Sequence, residues 1–227
     1  MPLTSKDDSI ERIAAKDPGY LLTKDILAAD ISHPYLYDYL ERHPEFERIE
    51  RGIYVNTSIK NPDNMYILYL KRKVIYSHLS ALFLLGIIEK EVEPAVFDVT
   101  FPHNYNRGRM HGNNLDINRF VEGENLNAFV CSSSDLEKGI VEAKTIYGHT
   151  VKCYCADRAV CEVVKDRNRF SDKQYREAIN GYFDKAKCEC KDFTELLMYA
   201  DMFKVRETMM DYINLLGYGL CQVKCVY

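Results

Sequence analysis

The stretch from Tyr20 to Val55 constrains the fold most, because two short helical patterns are followed at once by an alternating one. Thr23 stands where it would cap a helix over 24–29, with Ile26 and Leu27 as its apolar side. Asp30-Ile31-Ser32 is a tight polar break, and Ser32 is placed to cap a second helix. Pro34 falls in the first turn of that helix, where its missing N–H costs little. Leu36, Tyr39 and Leu40 then share one buried face, leaving His33, Tyr35, Tyr37 and Asp38 on the outer side. Phe46 and Ile49, then Ile53 and Val55, flank Glu50-Arg51-Gly52, a hairpin with glycine where φ is positive. The pattern predicts a helix-turn-helix followed by a two-stranded wing. That geometry brings a helix into a DNA major groove and an arginine beside the backbone. Lys24, Arg48 and Arg51 are the expected phosphate contacts, and His33, Tyr35 and Tyr37 the expected base-edge contacts. Thr23 belongs to the same expected surface, at the start of the first helix.

The rest of the chain supplies the context. Residues 7–16 predict a first helix, with Ile10, Ile13 and Ala14 on one face and Asp17-Pro18-Gly19 as its stop. Asn56 to Asp63 is polar and contains a proline, the best linker in the chain. Helical spacing resumes at Asn64, and Val74-Ile75-Tyr76 predicts a short strand before a helix from His78, capped by Ser77. Strand spacing appears over 96–101, 115–121, 128–131, 138–146 and 150–155, the last two bracketing Tyr147-Gly148-His149 as a hairpin. Asp157 is placed to cap the next helix, and helical stretches at 172–185, 192–203 and 205–217 finish the chain. The expected fold class is therefore α+β. An N-terminal winged helix-turn-helix, residues 1–58, is joined to a C-terminal mixed α+β domain, residues 59–227, that ends in a helical bundle.

Charge bears on the partner. Residues 1–55 carry three Lys and four Arg against six Asp and five Glu, a net of −4. DNA-binding modules are mostly basic, since phosphate neutralisation supplies much of their affinity. Binding must come from a local patch, and the alternative is a protein-interaction adaptor whose acidic winged domain does not bind DNA. The first residues hold no apolar core, so no signal peptide is expected. The longest apolar runs are too short to span a bilayer. The expectation is a cytoplasmic protein with no membrane partner.

The eight cysteines all follow residue 130, and in an unsecreted chain they are expected to be reduced and packed as small apolar groups. Only Cys221 and Cys225 have zinc-knuckle spacing, without a matching pair, so neither metal nor cofactor is expected. A second basic surface comes from Lys165, Arg167, Arg169 and Lys173, with Arg107 and Arg109 in a separate loop. It is either a solvated helix end or a surface for nucleic acid. Asp157, Glu162 and Lys165 lack the spacing of a nuclease site, and Ser77-His78 is better explained by a cap than by a nucleophile. With no glycine-rich phosphate loop, GxSxG or HExxH, the chain is not expected to be an enzyme.

Five motifs in order, YLLTKDIL (20–27), FERIERGIYV (46–55), YSHLSAL (76–82), FDVTFPHNY (97–105) and YGHTVKCYCADRAVCEVVKDRNRF (147–170), resemble the AbiEi family over nearly the whole chain. That family comprises the antitoxins and transcriptional repressors of AbiE-type, or type IV, toxin–antitoxin systems. The resemblance implies a winged helix-turn-helix joined to an α+β antitoxin domain, and autorepression at inverted repeats in operator DNA upstream of its own gene. It also implies an AbiEii-like nucleotidyltransferase toxin as functional partner, countered without a stable complex. Two positions depart from the family pattern. Tyrosines and Asp38 stand where the second helix of the motif often carries Arg or Lys. Asp157-Arg158 stands for the family's Glu-Arg, preserving a cap or an internal ion pair.

Overall fold

The computed structural model describes residues 5–59, 63–89, 96–102 and 126–215. The expected strand at 115–121 and the loop carrying Arg107 and Arg109 lie outside the described residues. The fold is α+β, in two compact units that divide between Lys73 and Val74.

The first unit runs α1 (Lys6–Lys16), β1 (Tyr20–Leu22), α2 (Thr23–Ala28), α3 (His33–Arg42), β2 (Phe46–Glu50), β3 (Ile53–Asn56) and α4 (Asn64–Arg72). Ser5 and Asp8 close a reciprocal capping box at the start of α1, so two otherwise unpaired donors are satisfied. The strands form an antiparallel sheet in the order β1-β3-β2, with Leu21 opposite Tyr54 and an irregularity in register between Arg48 and Glu50. Ile10, Leu21, Ile26, Ile31, Leu36, Tyr39 and Tyr54 make the core, drawing on α1, α2, α3 and the sheet. Leu27, expected beside Ile26 on the apolar side, is exposed. The six-residue helix α2 has room for only one inward row.

Two caps expected in the first unit are not formed. The residue before α2 is Leu22 and Thr23 is its first helical residue, so the Thr23 side chain caps nothing. Ser32 precedes α3 and its carbonyl accepts from Leu36 N–H at 3.1 Å, but its hydroxyl makes no cap bond. Asp30 makes the turn between α2 and α3 with φ 58°. The polar stretch from Asn56 does not part the units. Tyr66 on α4 meets Tyr20 edge to face at 5.0 Å, and its hydroxyl donates to Asp17, which fastens α4 to the first unit.

The second unit runs β4 (Ile75–Tyr76), α5 (His78–Leu84), β5 (Phe97–Pro102), β6 (Leu126–Cys131), α6 (Ser133–Leu136), β7 (Ile140–Lys144) and β8 (Thr150–Tyr154). It continues with α7 (Ala156–Lys165), α8 (Asp172–Cys188), α9 (Thr194–Phe203) and α10 (Arg206–Leu215). Its sheet order is β6-β5-β4-β8-β7, with β4 in the middle, antiparallel to β5 and parallel to β8. Helix α7 is buried from Asp157 to Val164 and packs against α5, α8 and α9. Gly181 on α8 lets that helix close on the backbone at Ile87, since a Cβ there would stand 2.4 Å from the Ile87 carbonyl oxygen. Among the described residues no helix is long and apolar enough to cross a membrane.

Candidate nucleic-acid interface

In the first unit, α3 and the β2–β3 hairpin present the residues singled out from the sequence. Tyr37 is 53% exposed, and its ring stacks with that of the exposed His33 at 6.2 Å. Tyr35 is engaged elsewhere. Its hydroxyl donates to Asp7 Oδ1 at 2.9 Å and the Lys6 ammonium lies 5.2 Å from its ring centre, so it joins α3 to α1. Arg42 completes the joint by donating to both oxygens of Asp7 at 2.9 and 3.1 Å. That Arg42 hydrogen bond is the main reason the Asp7 carboxyl is held below its ordinary range, with Tyr35 adding to it against partial burial.

Thr23 links two elements. Its N–H donates to the Gly52 carbonyl at 2.9 Å, so the first turn of α2 sits on the hairpin turn. Gly52 has φ 77°, and the Thr23 side chain lies 3.4 Å from where a Cβ would stand. The bond brings the neighbours of both residues, the exposed Lys24 and Arg51, to one edge. Arg48 is exposed beside the irregular step in β2, its Nε donating to the Glu50 carbonyl at 3.3 Å. The structure thus gathers Lys24 with Arg51, leaves His33 and Tyr37 open on α3, and removes Tyr35 from that face.

The basic run of the second unit divides. Arg167 pairs with Asp172, donates to the Phe170 carbonyl at 2.9 Å and lies over the Tyr175 ring, so it staples the turn into α8. Lys173 is exposed on α8, 3.8 Å from Glu177. Lys165 and Arg169 instead stand at the mouth of a cleft of about 250 Å³, over the rings of Phe203 and Phe129 respectively.

Behind that mouth is a polar chain that periodicity did not reveal. His78 Nδ1 is 2.9 Å from Ser77 Oγ, and His78 Nε2 is 3.1 Å from Asp166 Oδ2. Ser77 is therefore no side-chain cap for α5. That task falls to Asp98 on β5, whose Oδ2 accepts from Leu79 N–H at 3.1 Å. Serine, histidine and aspartate in a chain are the parts of a nucleophilic triad, but Ser77 is fully buried and the cleft wall does not include it. Burial disfavours the Asp166 carboxylate, yet the His78 hydrogen bond and the charges of His78, Lys165 and Arg169 outweigh that and hold its pKa below the ordinary range.

Asp157, placed as a cap by the sequence, lies inside α7 and is nearly fully buried. It accepts from Lys191 Nζ at 2.6 Å and from the Tyr182 hydroxyl, an internal ion pair. Arg158 is fully buried and donates from Nε to Glu162 Oε1 at 3.0 Å. The thiols divide too. Cys153 and Cys161 are buried, and burial pushes Cys153 up to about 12, whereas Cys188 and Cys190 are exposed rather than packed. A comparison with protein-family models gives no match, and neither does one with curated proteins.

Proposed function

We propose that the first unit is a winged helix-turn-helix that binds operator DNA, and that the chain is the antitoxin and autorepressor of a toxin–antitoxin operon. The observation that carries this reading is the order α1-β1-α2-α3-β2-β3 closed by the sheet β1-β3-β2. That arrangement presents α3 beside a hairpin, as a groove-reading helix beside a wing. The exposed His33 and Tyr37 on α3, and Lys24, Arg48 and Arg51 along the hairpin edge, supply one base-facing and one phosphate-facing set. The second unit is assigned to countering a nucleotidyltransferase toxin without a stable complex, on the resemblance to the AbiEi family.

The net charge of −4 over residues 1–55 favours a second reading, an adaptor that meets protein instead of DNA. A gel shift with the fragment upstream of the gene separates the two. The DNA reading expects a specific shift whose dependence on log salt has a slope of about −3 per monomer, one for each of three phosphate contacts. Arg51→Ala should weaken binding to every sequence alike. An unshifted fragment at low salt leaves the adaptor.

A further inference from the structure

The cleft in the second unit has an interior and a rim of different chemistry. His78 opens α5, Thr100 lies on β5, Phe129 on β6, Glu162 and Lys165 on α7, and Phe203 closes α9. Its volume of about 250 Å³ lies below the ~300–1,000 Å³ of pockets for drug-sized ligands, so its occupant is small. Two acceptors on its wall, Glu162 Oε2 and Thr100 Oγ1, have no hydrogen-bond partner, and both residues are only 3% exposed. Arg158 occupies the other Glu162 oxygen. His78 Nδ1 stands 3.8 Å from Oε2 and faces Ser77 at 2.9 Å, so it does not bond that oxygen. Buried polar atoms are nearly always paired, and a carboxylate oxygen left without a donor marks a place for one. His78 itself is held at φ 48°, a conformation that residues other than glycine adopt rarely.

The rim has the opposite character. Lys165 and Arg169 are exposed cations, each over an aromatic ring. Asp166 beside them is held by His78 at 3.1 Å and by Lys165 at 3.6 Å. Unsatisfied acceptors lie inside, cations outside, and Phe129, Val130 and Phe203 contribute apolar wall.

We infer that this cleft binds a free α-amino acid with an apolar side chain. Its ammonium group donates to Glu162 and Thr100, its carboxylate meets Lys165 and Arg169, and its side chain lies against the phenylalanines. A mononucleotide also carries an amine at one end and an anion at the other, but it is too bulky for this volume. The site lies beyond the DNA-binding reading and does not depend on it.

The test is calorimetric titration of the full chain with leucine, methionine and phenylalanine, each beside its N-acetyl and amide derivatives, with adenosine monophosphate as a separate arm. At least one free amino acid should bind, and loss of either charge should weaken it about tenfold or more, the worth of one charge-assisted hydrogen bond. Lys165→Met changes an exposed side chain and should cost about the same factor with the circular dichroism spectrum unchanged. Glu162→Gln should remove the preference for the free ammonium. Three results overturn the inference: no amino acid binding at millimolar concentration, N-acetyl derivatives binding as well as the free acids, or the nucleotide binding in their place.

Discussion

Arg158 shows how much one side chain can carry. Its guanidinium sits 3.4 Å from the Tyr154 ring centre, bonds Glu162, and donates from one terminal nitrogen to the carbonyls of Asp135 and Lys138. Those bonds join α7 to the segment between β6 and β7. Arg158→Met leaves a buried carboxylate without its partner and should destabilise the protein by about 3–5 kcal/mol in urea unfolding. Replacing Glu162 by Leu in the same chain should recover much of that loss, because the uncompensated charge is then gone. Lysine is no substitute, since the planar fork and the stacking are both lost. The sequence left Asp157-Arg158 as a cap or an internal ion pair, and the structure has the ion pairs, with Lys191 and Glu162 as partners. Glu162 stands one turn after Arg158 on α7 itself, a spacing the sequence carries, whereas Lys191 reaches Asp157 only once α7 is packed, and periodicity holds no record of that. Local spacing likewise offered Asp157 as a cap, but the capping position is Cys155, two residues earlier.

At the scale of elements, the joint between α1 and α3 decides which outer residues remain free. Tyr35 and Tyr37 are two residues apart and so flank the buried stripe of α3 on opposite sides, and nothing local says which flank stays free. The docking of α1 does, by placing Asp7 against Tyr35 and Arg42. Tyr37→Ala should therefore weaken operator binding and blur sequence preference. Tyr35→Phe should leave affinity unchanged and lower the thermal midpoint slightly, as gel shift and calorimetry would report. Asp7 also fixes a pH dependence. Its carboxyl titrates lower in the folded chain than its ordinary value of about 3.9, so its contribution is complete above that pH. The contribution is lost as pH falls through the lowered folded value. The difference in thermal midpoint between wild type and Asp7→Asn should be steady near neutrality and close as the medium becomes strongly acidic. The hairpin, α1 and α3 were legible because their signals are local: an Asp-Pro-Gly stop, a glycine, a repeated apolar step. Strand β1 was not, because Tyr20–Leu22 are extended by pairing with β3, far along the chain.

For the whole molecule, the division between Lys73 and Val74 sets where the two proposed activities should be cut apart. A fragment ending at Lys73 keeps α4 with Tyr20 and Asp17, and should still shift operator DNA. Residues 74–227 should fail to repress a reporter promoter while protecting cells from the cognate toxin. Reversing Lys165, Arg167 and Arg169 to Glu in the full chain should abolish protection and spare repression, if circular dichroism shows the fold intact. Undiminished protection would make those cations solvation and internal staples only. Asp172 and the Tyr175 ring already engage Arg167 in the second manner.

The position of β4 also sets a schedule for synthesis. Its flank toward β8 is completed where Tyr76 meets Cys153, so the middle of the five-stranded sheet waits for a strand made much later. The described strands and helices of the first unit all precede Val74. At about 5–20 residues per second, the nascent chain has several seconds in which the first unit is complete and the second has a two-residue strand with one side unclaimed. During that interval the side of Ile75–Tyr76 that will meet β8 has no partner strand, and translation rate between Val74 and Tyr154 becomes a determinant of yield.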